Sequence, residues 1–90
     1  MDVELTDIEF EVLNTLYFAE PFEHILEECS EKPAVVADVL KQLIHKKFVA
    51  PMRWDEEKGD YVHSFMYDSD DMHAYHYVAT RAGLTAHNSR

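Results

Sequence analysis

The side chains that could do chemistry in this 90-residue chain are six histidines, one cysteine, eighteen carboxylates and eight lysines or arginines. His73-x-x-His76, with Asp70 and Asp71 close by, offers ligand types that zinc accepts. Residues three apart on a strand point to opposite faces, so the two imidazoles converge only if His73 lies in a loop. Histidines without a metal are therefore expected. Asp68-Ser69-Asp70-Asp71 lacks the glycine and the distal glutamate of an EF-hand loop and reads as a solvated acidic turn. Cys29 falls on an apolar helical stripe with no partner motif, which suits a small core residue better than a nucleophile. His24 stands beside Glu23 and Glu27, a surface ion-pair network. No Ser-His-Asp arrangement or phosphate-cradling glycine loop is present, and two glycines leave little room for a substrate cleft. No catalytic residue, metal or cofactor is expected, and the chain is expected not to be an enzyme.

The charge is more informative. Residues 1–32 hold ten acids against Lys32, and residues 55–73 hold seven acids against Lys58. Residues 33–54 reverse the balance, with Asp38 alone against Lys41, Lys46, Lys47 and Arg53. The net charge of −10 disfavours anionic membranes and bulk nucleic acid, and favours solubility or a basic partner. Heavy use of acids is also what adaptation to high salt produces. No apolar run reaches the length of a membrane span, and the acidic N-terminus lacks a signal peptide's basic start. A lone cysteine allows no intramolecular disulfide, so a cytoplasmic location is expected.

The elements that must position these groups follow from periodicity and caps. Thr6-Asp7-Ile8-Glu9 is a capping box, and Ile8, Val12, Leu13, Leu16 and Tyr17 recur at helical spacing, predicting a helix over 6–18. On that reading Asp7, Glu9, Glu11 and Asn14 face away from the core. Phe22, Ile25, Leu26 and Cys29 give a second, short helix over 21–29, with Pro21 in its first turn. Val36, Val39, Leu40, Leu43 and Ile44 give a third over 33–46, entered at Pro33. From Phe48 the pattern alternates, predicting strands over 48–54, 61–67 and 74–79, with Pro51 marking an edge. Seven of the eleven aromatics fall between Phe48 and Tyr77, as a small sheet with few residues requires. Thr80 can cap a short terminal turn. Residues 1–90 read as one α+β domain: three N-terminal helices, a two- or three-stranded antiparallel wing and a short C-terminal turn.

That order, with two local signatures, resembles the winged helix-turn-helix superfamily over about residues 5–85. Leu40-Lys41-Gln42-Leu43-Ile44-His45-Lys46-Lys47-Phe48-Val49 is similar to the "LxxLxxxGLV" junction between recognition helix and wing. Tyr77-Val78-Ala79-Thr80-Arg81-Ala82-Gly83-Leu84 is similar to the "YxLTxxG" exit from the last wing strand. Both patterns occur in MarR-type and PadR-type regulators. Lys47 replaces the junction glycine, and a left-handed conformation there costs about 1 kcal/mol relative to glycine.

The resemblance implies a small transcriptional regulator whose third helix enters the major groove of double-stranded DNA. Projected at about 100° per residue, the side of that helix opposite the core carries Ala34, Asp38, Lys41, Gln42 and His45. Lys41 and Gln42 are placed to read guanine or adenine edges, and His45 or Lys46 to meet phosphate. Ala34 and Ala37 allow close approach, while Asp38 repels the backbone unless it accepts from a cytosine amine. With Lys41, Lys46 and Arg53 as phosphate contacts, the electrostatic contribution scales with about three contacts, against roughly 6–10 in a strong binder. The wing tip, Asp55-Glu56-Glu57-Lys58-Gly59-Asp60, is acidic, so DNA binding is expected to be weak.

The same features support a second expectation, an acidic interaction module that uses this fold to grip a basic protein or to mimic DNA. Glu23, Glu27, Glu28 and Glu31 would form its binding surface, with Trp54 offered by the sheet. So aromatic a sheet buries one face and presents the other, and a closed homodimer is the expected assembly.

Overall fold

A computed structural model describes residues 5–64, 67 and 70–89. Thr6 Oγ1 accepts the Glu9 amide at 3.2 Å and Glu9 Oε1 accepts the Thr6 amide at 3.0 Å, so the expected capping box starts helix α1, Asp7–Asn14. The helix stops four residues short of the expected Phe18. Thr15 Oγ1 donates back to the Val12 carbonyl at 2.8 Å, and the Leu16 carbonyl accepts the Ala79 amide at 2.9 Å in place of a helical donor at position 20. A two-residue strand follows, β1, Glu20–Pro21, which residue periodicity does not foretell. Pro21 thus precedes helix α2, Phe22–Glu28, as its N-cap and does not occupy the first helical turn.

Helix α3, Pro33–His45, has Pro33 in the first turn as expected and buries Val36, Val39, Leu40 and Leu43. It ends in a Schellman motif: Phe48 N donates to Leu43 O at 2.9 Å and Lys47 N to Ile44 O at 3.0 Å. Lys47 takes the left-handed position with φ 66°, which the missing glycine had implied.

Strand β2, Val49–Asp55, turns through Gly59 into β3, Asp60–His63, and β4, His76–Ala79, completes a four-stranded antiparallel sheet ordered β1-β4-β2-β3. Strand β2 is therefore interior, not the edge that Pro51 suggested. The proline is tolerated because β3 has run out beside it: the last ladder pair is Met52↔His63, and beyond it Pro51 O accepts from Ser64 N at 3.1 Å. Nitrogen and carbonyl of one strand residue point to the same side, so the missing donor faces that gap. For the same reason the strand expected over 61–67 ends at His63; Phe65, Met66, Asp68 and Ser69 lie outside the described residues. The strand expected from 74 begins at His76, preceded by a 3-10 turn over Met72–Ala74, where Tyr77 Oη donates to the Met72 carbonyl at 2.7 Å.

The terminal turn is a full helix, α4, Arg81–Asn88. The architecture is thus α+β with four helices, in the order α1-β1-α2-α3-β2-β3-β4-α4. The three expected N-terminal helices are interrupted by a strand and joined by a fourth helix. The core is contributed by all the helices and by the sheet, with Leu13, Leu16, Ile25, Leu40, Leu43 and Tyr77 fully enclosed. Burial raises the Tyr77 hydroxyl's pKa above the ordinary phenol range and pushes the Cys29 thiol up to about 11, which leaves Cys29 an inert core residue. Helix α4 docks through His87, stacked on Phe10 with ring centroids 4.3 Å apart and bonded through Nδ1 to Tyr17 Oη at 3.1 Å.

The two sequence signatures meet in space. Thr80 Oγ1 accepts the Gly83 amide at 3.1 Å, capping α4, and donates to the Lys47 carbonyl at 2.6 Å. Its own amide donates to the Phe48 carbonyl at 2.9 Å. The start of α4 is thereby clamped onto the end of α3, the junction that orients the third helix against the sheet.

Candidate nucleic-acid interface

Helix α3 turns one side to the core and leaves the other uncovered. Ala34, Asp38, Gln42 and His45 are exposed on that side and Lys41 is half-buried among them. Ala37 lies nearer the core than expected, half-buried and packed against the apolar cluster. Val35 is 37% exposed, an apolar side chain at the edge of this face that lies outside the helix's apolar stripe. Its position three residues before Asp38 is the signal that could have found it.

Lys46 does not stand free on this surface. Its ammonium lies 2.7 Å from Glu9 Oε2, and the Glu9 side chain is only 3% exposed. Glu9, expected to face solvent, occupies the apolar side of α1, at i, i+3, i+4 and i+7 with Val12, Leu13 and Leu16. Burial pushes its carboxyl pKa upward, but the bond from Lys46 and the Thr6 backbone bond together outweigh that, and the net shift is downward. The cation thus offsets a buried charge and ties α1 to the end of α3. Lys47, one residue on, is exposed, and its side chain projects from the left-handed junction beside the start of α4.

Arg53 is exposed on β2, opposite Val62 of β3. Strand alternation puts it on the sheet face shared by Val49 and Tyr77, toward the helices. Trp54 therefore points to the opposite face, 51% exposed and edge-to-face with Tyr61 at 5.1 Å. The structure brings Ala34, Asp38, Lys41, Gln42 and His45 together and leaves Trp54 apart from them.

The acidic residues of the second expectation gather elsewhere. Glu23, Glu27, Glu28 and Glu31 are exposed on and just after α2. His24 does not pair with Glu23 and Glu27 as the sequence suggested. Its ring contacts Glu28 through Nε2 at 3.3 Å, one helical turn on, and through Nδ1 it contacts Glu20, which lies in β1 just before the helix. His73 pairs with Glu23. Among the described residues no group of three or more His, Cys, Asp or Glu is arranged to hold a metal, and no helix is long and apolar enough to cross a membrane.

These pairs have a pH signature. Glu20, and then Glu28, raise the His24 pKa above its ordinary 6.5, while His73 lowers Glu23 below 4.5. The His24 contribution to stability is fully present below 6.5 and is lost as pH rises through the raised value. The Glu23 contribution is present above 4.5 and is lost as pH falls through the lowered one. An NMR titration should show His24 protonating above pH 6.5, with Glu20→Gln returning it further toward 6.5 than Glu28→Gln. An unmoved midpoint in both variants would contradict the pairing.

Comparison of the chain with protein-family models, with curated proteins and with solved structures finds no match.

Proposed function

We propose that the chain is a winged-helix module that binds double-stranded DNA weakly, with α3 as the reading helix and the β2–β3 hairpin as the wing, serving as a small transcriptional regulator. The observation that carries this reading is the uncovered side of α3. On a chain of net charge −10 it presents Lys41, Gln42 and His45 around a single carboxylate. Amide and ammonium groups are the donors and acceptors that base edges in the major groove match. Support also comes from the placement of a β-hairpin, β2–β3, directly after α3, as the wing reading requires. Engagement of Lys46 by Glu9 shifts the expected phosphate contacts to Lys41, Lys47 and Arg53. Affinity is then low and concentrated at low ionic strength.

Selection from a random duplex library at low salt tests this reading. A recovered consensus, with binding weakened about tenfold by Gln42→Ala, is the expected result for loss of one base-edge pair. Failure to enrich any duplex would overturn it. One observation favours a second reading, a basic protein partner: Glu27, Glu28 and Glu31 are exposed together and, among the described residues, only Glu28 of the three is paired, with His24. That reading takes over if no duplex is enriched and a basic partner is captured by the protein but not by its Glu27→Gln/Glu28→Gln/Glu31→Gln variant.

A further inference from the structure

Asp38 has no structural task. It is exposed in the middle of the uncovered side of α3, and among the described residues no hydrogen bond or ion pair engages it, although Lys41 stands one turn away. Helix α3 begins at Pro33, so Asp38 lies beyond the first turn, where the helix dipole would favour a carboxylate. Against a duplex it is the one group of the face that phosphates repel.

We propose that Asp38 selects a cytosine in the major groove, an inference that rests on the DNA-reading role of α3. A carboxylate only accepts hydrogen bonds, and two base edges in that groove present a donor, the cytosine N4 amine and the adenine N6 amine. Adenine places its N7 acceptor beside the amine, so a second carboxylate oxygen there meets a lone pair. Cytosine has no acceptor on that side. Guanine and thymine offer the carboxylate acceptors alone. The flanking residues leave room: Ala34, one turn earlier, has no side chain long enough to hold the helix away, and Val35 is exposed at the edge of the face to meet a thymine methyl. Gln42, one turn later, then reads an adjoining pair. The carboxylate trades affinity for discrimination, since every site without the cytosine suffers the repulsion without the bond.

The test uses the full chain and the duplex enriched by selection, with each base pair of the consensus substituted in turn. In the wild-type protein one C·G pair should be preferred about tenfold over its alternatives. Asp38→Ala should bind all duplexes more tightly and lose that preference. Asp38→Asn, whose amide both accepts and donates, should move the preference to adenine at the same position. If Asp38→Ala and Asp38→Asn raise affinity uniformly and leave base preference unchanged, cytosine selection is overturned while DNA reading stands. If neither the wild type nor either variant binds any duplex, both are overturned.

Discussion

Gly83→Ala is expected to destabilise the protein by about 3 kcal/mol or more, with the melting temperature falling by about 15 °C for a chain of this size. In an exposed helix the same substitution stabilises by roughly 0.8–1 kcal/mol, because alanine loses less backbone entropy on ordering. Here the sign reverses. A Cβ at Gly83 would lie 2.0 Å from the Phe48 carbonyl oxygen and 2.9 Å from its carbon. Those are backbone atoms, and the same carbonyl already accepts the Thr80 amide at 2.9 Å. Relief requires moving α4 off the α3–β2 junction, which breaks the Thr80 bonds to Lys47 and Phe48 and disturbs the seat of His87 between Phe10 and Tyr17. Ala82→Gly, one residue earlier and exposed, is the control and should cost under about 1 kcal/mol. Thermal melts of both variants decide the matter. A Gly83→Ala protein as stable as the wild type would mean that α4 does not approach the junction this closely.

Lys46→Ala should be the next largest effect, about 2 kcal/mol at pH 7. Stripping the partner from a fully buried ion pair costs about 3–5 kcal/mol, because a charge is left in a poorly solvated site. The smaller figure allows for the Lys46 side chain being 44% exposed, where solvent already screens it. The effect carries its own pH test. The folded-state pKa of Glu9 lies below 4.5, so the stabilisation is present above 4.5 and is lost as pH falls through the lowered value. Urea denaturation should therefore separate wild type from Lys46→Ala at pH 7 and bring them together at a pH below the lowered Glu9 value. Glu9→Gln, which keeps an acceptor for the Thr6 amide, should show the same loss of pH dependence. A difference between wild type and Lys46→Ala that is identical at the two pH values would show that lost packing, not charge, is responsible.

The features legible in the sequence were those closed within one turn. The Thr6–Glu9 capping box and the Thr80 cap each depend on residues three apart and are found where the residues imply, and the left-handed Lys47 falls where the junction pattern has its glycine. The third helix is legible for the same reason, because its apolar stripe alone fixes which side faces outward. What the sequence concealed depends on distant partners. Glu9 shares the apolar spacing of Val12, Leu13 and Leu16, but a carboxylate there reads as solvent-facing until Lys46, 37 residues away, supplies the countercharge. Strand β1 is two residues containing a proline, too short for any alternation, and is defined only by pairing with β4 at Glu20↔Tyr77 and Pro21↔His76. The early end of β3 follows from where Pro51 falls in the register, which no local pattern records. In the candidate site, the α3 face was readable and the fate of Lys46 was not.

The salt dependence of duplex binding tests the central claim most directly. With Lys41, Lys47 and Arg53 as the phosphate contacts, log K against log [salt] for the selected duplex should fall with a slope of about −2 to −3. Arg53→Ala should make that slope shallower by about one. Lys46→Ala, measured where it remains folded, should leave the slope unchanged, because its ammonium is held by Glu9. Absence of duplex binding at low salt, or a slope that Arg53→Ala leaves intact while Lys46→Ala reduces it, would contradict the account.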